Sequence, residues 1–140
     1  WNVGTGKLER TFGNHLGSVN AGAFRPRAAP AFCATASDDK TVRLWQPSIG
    51  RMVRIVRSHG GPIFAVAFSN DGKQIFSIGR EGIGRIIDAD SDKVLHVWKA
   101  HDDWTYALAL GPSGRLATGD WNGEVKLWVV KDSKVTRQQP

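Results

Sequence analysis

Histidine, hydroxyl and acidic side chains recur at fixed spacing along this chain of 140 residues. His15, His59 and His101 follow one another at intervals of 44 and 42 residues. Downstream of each histidine, a Thr or Ser is followed four residues later by an acid or an amide. A histidine oriented by a carboxylate can activate a hydroxyl as a nucleophile, and three histidines can bind zinc. Nucleophilic catalysis and metal binding are therefore the first chemistries to consider.

Repetition of the whole set argues against both chemistries. Six residues beyond each acid or amide stands a bulky apolar residue, so all three copies share one internal spacing. The copies are His15, Thr35, Asp39 and Trp45; His59, Ser77, Glu81 and Ile87; and His101, Thr118, Asn122 and Trp128. An enzyme normally builds its active site once, and histidines in separate repeats should lie far apart. We therefore expect no catalytic residue, no metal ligand and no cofactor.

Each copy carries the pattern of four short β-strands, which predicts an all-β fold. The expected first strands are Val19–Phe24, Ile63–Phe68 and Thr105–Leu110; the second are Phe32–Ser37, Gln74–Ile78 and Arg115–Thr118; the third are Thr41–Trp45, Gly84–Ile87 and Glu124–Trp128. A fourth strand alternates between apolar and polar residues, so it should be the outer strand with one wet face. Its members are Leu8/Arg10/Phe12, Met52/Arg54/Val56 and Val94/His96/Trp98.

The period of about 42 residues, the four strands and the His and Trp positions resemble the WD-repeat β-propeller family. The resemblance covers essentially the whole chain. The family's Gly-His and Trp-Asp dipeptides are absent, and the first copy has Asn14-His15 and Trp45-Gln46 in their places. The resemblance implies β-propeller blades, each a four-stranded antiparallel sheet. Three such blades form an incomplete ring unless the chain oligomerises.

Within blade one, the resemblance implies a structural hydrogen-bond chain in place of an active site. Asp39 would accept from His15, and His15 would contact Thr35. Thr35 would in turn accept from the indole N–H of Trp45. Such a chain satisfies polar groups that the turns of the blade bury.

The chains of the other two blades should be weaker. Blade two has Glu81 in place of the aspartate and Ile87 in place of the tryptophan, so its chain should be truncated. Blade three has Asn122, which is neutral and should bind His101 less strongly. We therefore predict that blade one has the most complete chain.

Turn tips on one surface are the predicted partner-binding positions. By the resemblance, the residue before each structural acid or amide is a frequent contact, which selects Asp38, Arg80 and Trp121. Trp104, which follows His101 closely, would extend this surface, or it would pack between blades as a core residue. An exposed tryptophan in a turn is a natural interface anchor. The expected function is a non-catalytic protein–protein interaction scaffold.

The repeat boundaries divide the chain into an outer strand of a preceding blade (1–12), blade one (13–57), blade two (58–99) and blade three (100–138). Lys7–Phe12 has a better outer-strand pattern than Lys134–Gln138, so it is predicted to complete blade three of a neighbouring copy. Head-to-tail copies would then close a ring, as six blades from two chains or nine from three. The alternatives are a fragment of a longer parent chain and a self-assembling propeller with no further partner.

The net charge of +6 lies in the first half, where nine Lys/Arg oppose three Asp/Glu in residues 1–70. A basic surface can bind nucleic acid, but the arginines do not converge on the predicted aromatic surface, so a nucleic-acid- or ligand-binding module is the less favoured alternative. No apolar run is long enough to span a membrane, which predicts a soluble chain of unspecified compartment. The single Cys33 cannot form an internal disulfide.

Overall fold

A computed structural model describes residues 1–138 as three four-stranded antiparallel sheets. Blade one consists of β1 (Val19–Phe24), β2 (Cys33–Ser37), β3 (Val42–Gln46) and β4 (Arg51–Val56); blade two of β5 (Ile63–Phe68), β6 (Gln74–Gly79), β7 (Ile83–Asp88) and β8 (Val94–Lys99); blade three of β9 (Thr105–Leu110), β10 (Arg115–Asp120), β11 (Val125–Lys131) and β12 (Lys134–Arg137). In every sheet the spatial order of the strands follows the chain. The predicted all-β propeller fold is therefore confirmed.

Aliphatic residues on both faces of blade two explain its central place. Strands β6 and β7 carry Ile75, Ile78, Ile86 and Ile87, all fully buried. β-branched side chains fit the pleated surface, and a sheet that is covered on both faces has no polar side. Blade two is thus packed between two neighbours, whereas blades one and three each have a single neighbour within the described chain.

Two apolar cores join the blades. The first lies between blades one and two, where small residues such as Ala34 and Ala36 face larger ones such as Phe68 and Ile75. The second lies between blades two and three and contains Trp98 and Trp128, whose rings meet edge-on at 6.4 Å. Burial between neighbouring sheets, and not within one sheet, therefore holds the fold together.

Equivalent residues of blades one and three have opposite exposures. Leu44 precedes Trp45 and is 2% exposed, whereas Leu127 precedes Trp128 in the same way and is 53% exposed. Val42 is fully buried, and its equivalent Val125 is 71% exposed. The far face of blade three therefore has the composition of an inter-blade face with nothing against it, and the three sheets leave the ring open.

The predicted source of the fourth strand of blade three is wrong. Lys134–Arg137 pairs with β11 and completes that sheet within the same chain. The weak alternation of this segment misled the prediction, because a short hairpin after β11 fixes the pairing regardless of side-chain pattern. Residues 7–12 form no strand in the part of the chain that the structure describes.

The segment before blade one nevertheless packs as an outer strand would. Phe12 stacks on Trp45 with ring centroids 5.0 Å apart. Trp98 occupies the equivalent position in the outer strand of blade two, and its ring meets Trp128 of the next blade edge-on.

The strands of the three blades fall inside 13–57, 58–99 and 100–138. No helix within residues 1–138 has the length and hydropathy needed to cross a bilayer.

Candidate interaction surface and its supporting hydrogen-bond chains

Blade one contains an unbroken chain of polar contacts. His15 Nδ1 lies 2.8 Å from Asp39 Oδ2, and His15 Nε2 lies 2.6 Å from Thr35 Oγ1. The indole N–H of Trp45 donates to the same hydroxyl at 2.8 Å. Because a carboxylate only accepts, the His15 proton sits on Nδ1. The Thr35 hydroxyl then accepts from the indole and donates to Nε2.

Asp39 is the most heavily hydrogen-bonded acid of blade one. Its carboxylate also accepts from the backbone N–H of Leu16, from both the N–H and the hydroxyl of Thr41, and from Arg43. Burial alone would raise the pKa of Asp39. Hydrogen bonds from Thr41, His15 and the backbone amides outweigh burial and hold that pKa far below its usual value. The ionised acid is therefore a fixed anchor between the first loop and the β2–β3 turn.

Blade two has a truncated chain. His59 Nε2 lies 2.7 Å from Ser77 Oγ, but the buried Nδ1 has no hydrogen-bond partner within the described residues. Glu81 pairs with Arg85 at 2.8 Å in place of the histidine. Burial, reinforced by the positive charge of Arg85, lowers the pKa of His59 to about 3.

Acid is expected to destabilise the protein through His59. The unfolded histidine titrates near its ordinary pKa of about 6.5, so between about pH 6.5 and 3 the unfolded chain binds a proton that the folded chain excludes. Stability is therefore full above about pH 6.5, and about 2 kcal/mol is lost by pH 5. Denaturant titrations at pH 7 and pH 5 measure this loss. His59→Gln should abolish most of the difference, and an equal pH dependence in the variant would contradict the assignment.

Blade three completes its chain with Asp120, not with the predicted Asn122. His101 Nδ1 lies 3.1 Å from Asp120 Oδ2 and Nε2 lies 2.8 Å from Thr118 Oγ1, which also accepts from the Trp128 indole at 2.9 Å. Asp120 lies two residues after Thr118, at the end of β10, whereas Asp39 lies four residues after Thr35. From there its other oxygen accepts the backbone N–H groups of Asn122 and Glu124.

The prediction that blade one has the most complete hydrogen-bond chain is therefore wrong. Blades one and three both link a carboxylate, a histidine, a threonine and a tryptophan, so their chains are equally complete. The pKa of Asp120 is lowered: burial opposes the shift, and the backbone N–H of Glu124 and the nearby His101 overcome it. Asn122 instead donates from its side-chain amide to Asp103 at 3.1 Å.

Substitutions at Asp120 and Asn122 should separate the two assignments. Asp120→Ala removes the acceptor of buried His101 and of two backbone N–H groups, so it should lower the melting temperature by about 4 °C or more. Asn122→Ala removes one exposed contact and should change it by less than about 2 °C. Thermal unfolding followed by circular dichroism measures both. A larger effect at Asn122 would restore the original assignment.

A repeated basic residue, which the sequence analysis missed, flanks each chain. Arg43 and Arg85 lie four residues beyond Asp39 and Glu81, and each pairs with that acid. Lys126 occupies the same position in blade three, where it contacts Glu124 at 3.3 Å and donates to the carbonyl of Ala100. The constant interval of four residues was the signal for these positions.

His101, Asp120 and Glu124 form a potential metal-ligand group, with ligand atoms within 4.8 Å of one another. Their donors and acceptors already have protein partners: the His101 ring nitrogens meet Asp120 and Thr118, and Glu124 pairs with Lys126. A metal bound to His101 Nδ1 would displace the proton that this nitrogen donates to Asp120. We assign the group to hydrogen bonding.

The turn tips are anchored by one backbone hydrogen bond per blade. Asp38 donates its N–H to Ser18, Arg80 to Pro62 and Trp121 to Trp104, at 2.8–2.9 Å. In the β6–β7 turn, Gly82 takes a φ of +71°, and a Cβ there would collide with the carbonyl of His101. The tips are therefore held rigidly on the same edge of successive blades.

Arg80, Trp104 and Trp121 belong to one exposed cluster. The Arg80 guanidinium lies 4.9 Å from the centroid of the Trp104 ring, and Tyr106 bridges Trp104 and Trp121 at 6.3 and 6.0 Å. Phe64 stacks on Tyr106 at 4.6 Å. Trp121 is 69% exposed and Trp104 is 39% exposed, so neither indole is a core residue. We call Phe64, Arg80, Trp104, Tyr106 and Trp121 the aromatic–arginine cluster.

The sequence did not predict that Phe64 and Tyr106 belong to the aromatic–arginine cluster, or that Asp38 lies apart from it. Phe64 and Tyr106 hold the second position of β5 and β9, which were predicted as strands without a partner-binding residue. The corresponding residue of β1 is Asn20, which donates to Asp38 at 2.8 Å. Asp38 is thus exposed at its tip but is held by blade one, apart from the aromatic–arginine cluster.

Part of the basic excess is neutralised between blades. Arg25 of blade one binds Asp90 of blade two through both guanidinium nitrogens, at 2.9 and 3.3 Å. Arg54 lies 3.5 Å from Asp92. These pairs lie away from the aromatic–arginine cluster in sequence and in contacts, which weakens the case for a nucleic-acid surface that combines cations with stacking aromatics.

Fold and site together define a segment of a β-propeller with a structural hydrogen-bond chain in each blade and an exposed contact surface. Family comparison agrees: the model of the WD domain, G-beta repeat, matches residues 6–46, 50–99 and 92–129. The chain belongs to the WD-repeat family. Proteins of this family generally act as non-catalytic interaction scaffolds.

Individual relatives resemble the chain over most of its length. It is 32% identical over 100 residues to apoptotic protease-activating factor 1 of Rattus norvegicus, with 71% of this chain and 8% of the relative covered. It is 30% identical over 122 residues to the poly(A)+ RNA export protein of Schizosaccharomyces pombe, with 83% and 34% covered. The crystal structure of the WD40 beta propeller domain of Doa1 superposes with a TM-score of 0.78 at 22% identity, covering 88% of this chain and 40% of that one. The chain therefore spans at most about a third of the length of apoptotic protease-activating factor 1 and of the poly(A)+ RNA export protein.

Proposed function

We propose that this chain is a protein–protein interaction scaffold that binds its partner through the aromatic–arginine cluster. The observation that carries the proposal is the exposure of two indoles and one arginine side by side on rigid turns. Trp, Tyr and Arg are enriched among binding hot spots, and the two aromatic side chains bury large areas with little loss of conformational entropy. The names of relatives such as DDB1- and CUL4-associated factor 5 of Homo sapiens describe association with other proteins, which fits this role.

Selection from a displayed peptide library tests the proposal. Ligands selected on the unmodified chain should bind Trp121→Ser and Arg80→Ala at least tenfold more weakly, since a hot-spot residue contributes about 1–2 kcal/mol or more. Trp1→Ser is the matched control, because Trp1 is also an exposed indole but lies outside the cluster. Ligands that are indifferent to Trp121 and Arg80 would refute the proposal.

We further propose that other blades cover the two open ends. The far face of blade three repeats the small residues of the buried face of blade one: Ala107, Ala109 and Val125 stand where Ala21, Ala23 and Val42 stand. The near face of blade one carries exposed Phe24 at the position of buried Phe68 in blade two. A small-residue face and a large-residue face are therefore both available for a head-to-tail contact.

A second copy or the further blades of a longer parent chain would satisfy this contact. Two copies would supply six blades and three copies nine. The aromatic–arginine cluster joins blades two and three, whereas the proposed head-to-tail contact uses the far face of blade three and the near face of blade one. The scaffold role and ring completion are therefore compatible.

A further inference from the structure

Trp104 lines two clefts that differ in charge. One cleft, of about 360 Å³, is lined by Lys40, Arg80, Glu81 and Trp104 together with the Gly60–Pro62 loop, so its basic side chains outnumber its single acid. The other, of about 380 Å³, is lined by Asp103, Trp104 and Trp121. The second cleft combines two indoles with a single carboxylate, and it holds no basic side chain in its lining.

Asp103 is positioned but is not neutralised. Its Oδ1 accepts the backbone N–H of Trp104 at 2.7 Å, and its Oδ2 accepts from the Asn122 amide at 3.1 Å. Both donors are uncharged, and the ion pairs among residues 1–138 do not include Asp103. Each oxygen therefore keeps a lone pair for a further donor, and among the described residues no cationic group lies within 4.0 Å of the Asp103 carboxylate.

We propose that the cleft between Trp104 and Trp121 binds an arginine side chain of a protein partner. A guanidinium can stack on an indole face while its N–H groups donate to a carboxylate. The molecule already uses this stacking once, since the Arg80 guanidinium lies 4.9 Å from the Trp104 ring centroid. This inference rests on the proposed scaffold function and adds the chemistry of the residue that is recognised.

Charge and shape together favour arginine over other occupants. An acidic side chain would meet the unpaired Asp103 carboxylate, and an aliphatic one would leave that carboxylate desolvated without a partner. Lysine would supply charge, but its compact ammonium cannot lie flat against the rings and donate through a planar fork at once. The neighbouring cleft carries Lys40 and Arg80 against the single acid Glu81, so its net positive charge disfavours a second basic residue on that side.

Nuclear magnetic resonance of the full chain can test the site with a defined probe. The probe is a capped six-residue glycine–serine peptide with one central arginine, titrated while the indole N–H signals of Trp104 and Trp121 are followed. Millimolar binding is expected for so small a contact. The same peptide with citrulline, the neutral isostere, should bind about tenfold more weakly, and lysine should be intermediate.

Variants of the chain sharpen the result. Asp103→Asn should weaken arginine binding about tenfold, whereas Asp102→Asn should leave it unchanged, because Asp102 is an adjacent, exposed acid that pairs with Lys99. Equal binding of arginine and citrulline peptides, or no effect of Asp103→Asn, would overturn the inference. If the peptide library instead yields ligands that lack arginine but depend on Trp121, the scaffold proposal stands and the arginine site falls.

Discussion

Asp39→Ala is expected to lower the free energy of unfolding by about 3 kcal/mol. The carboxylate holds His15, Arg43 and the Leu16 and Thr41 amides together, so its loss leaves several buried donors without an acceptor. Side chains of Asp39 and Arg43 are almost fully buried, so water replaces the lost contacts poorly. Equilibrium unfolding in urea measures the change.

Glu81→Ala is the matched control in blade two. Glu81 stands at the same repeat position but is about a third exposed and binds Arg85 alone, without contact to His59. Its removal should cost less than about 1 kcal/mol. Equal losses at Asp39 and Glu81 would mean that the hydrogen-bond chain does not distinguish the blades.

Leu44→Ala should also cost about 3 kcal/mol, because Leu44 is buried between blades one and two and its removal leaves a cavity. At low protein concentration, where the far face of blade three is open, the equivalent change Leu127→Ala should lower the free energy of unfolding by less than about 1 kcal/mol. Both residues are leucines in the third strand of their blade, and both directly precede the repeat tryptophan. The comparison therefore isolates the effect of a neighbouring blade.

Urea unfolding at low and high protein concentration completes this comparison. If copies pack head to tail, the cost of Leu127→Ala should rise with concentration as assembly buries the face, whereas the cost of Leu44→Ala should stay constant. Equal costs in dilute chain would show that Leu127 is already covered within one chain, which would contradict the open ring.

Repetition made the fold predictable from the sequence. Three copies of the His–Thr–acid–Trp spacing place each strand and turn, because an element that recurs in register cannot be an accident of local composition. The bounds of the first strands were predicted to the residue, and those of the third strands within one residue, apart from β11, which runs three residues beyond its predicted end. The resemblance to the WD-repeat family implied the polar chain of blade one, whose members all lie at the shared spacing.

Departures from the repeat were harder to foresee. In blade three the structural acid is Asp120, two residues before the repeat position that Asn122 holds. A carboxylate at the end of β10 still reaches His101. Spacing alone selected Asn122, which points to Asp103 instead. Only the three-dimensional path of the turn decides between two polar residues so close in sequence.

Surface residues depend on what lies beside each blade. Phe64 and Tyr106 lie in predicted first strands and carry no signal of their own in the sequence, and their position near the strand start places both rings against exposed Trp104. The fourth strand of blade three was assigned to Lys7–Phe12 in preference to the correct segment, because only the side-chain pattern was compared. Lys134–Arg137 has little apolar pattern, and its pairing follows from a short connection to β11.

Light scattering on the purified chain, at the highest concentration that stays soluble, shows whether three WD-type blades with apolar end faces require further blades. We expect a mass of two or three chains, which corresponds to six or nine blades, and a shift toward one chain in Leu127→Asp. A folded, soluble single chain with an unchanged mass in that variant would contradict this expectation.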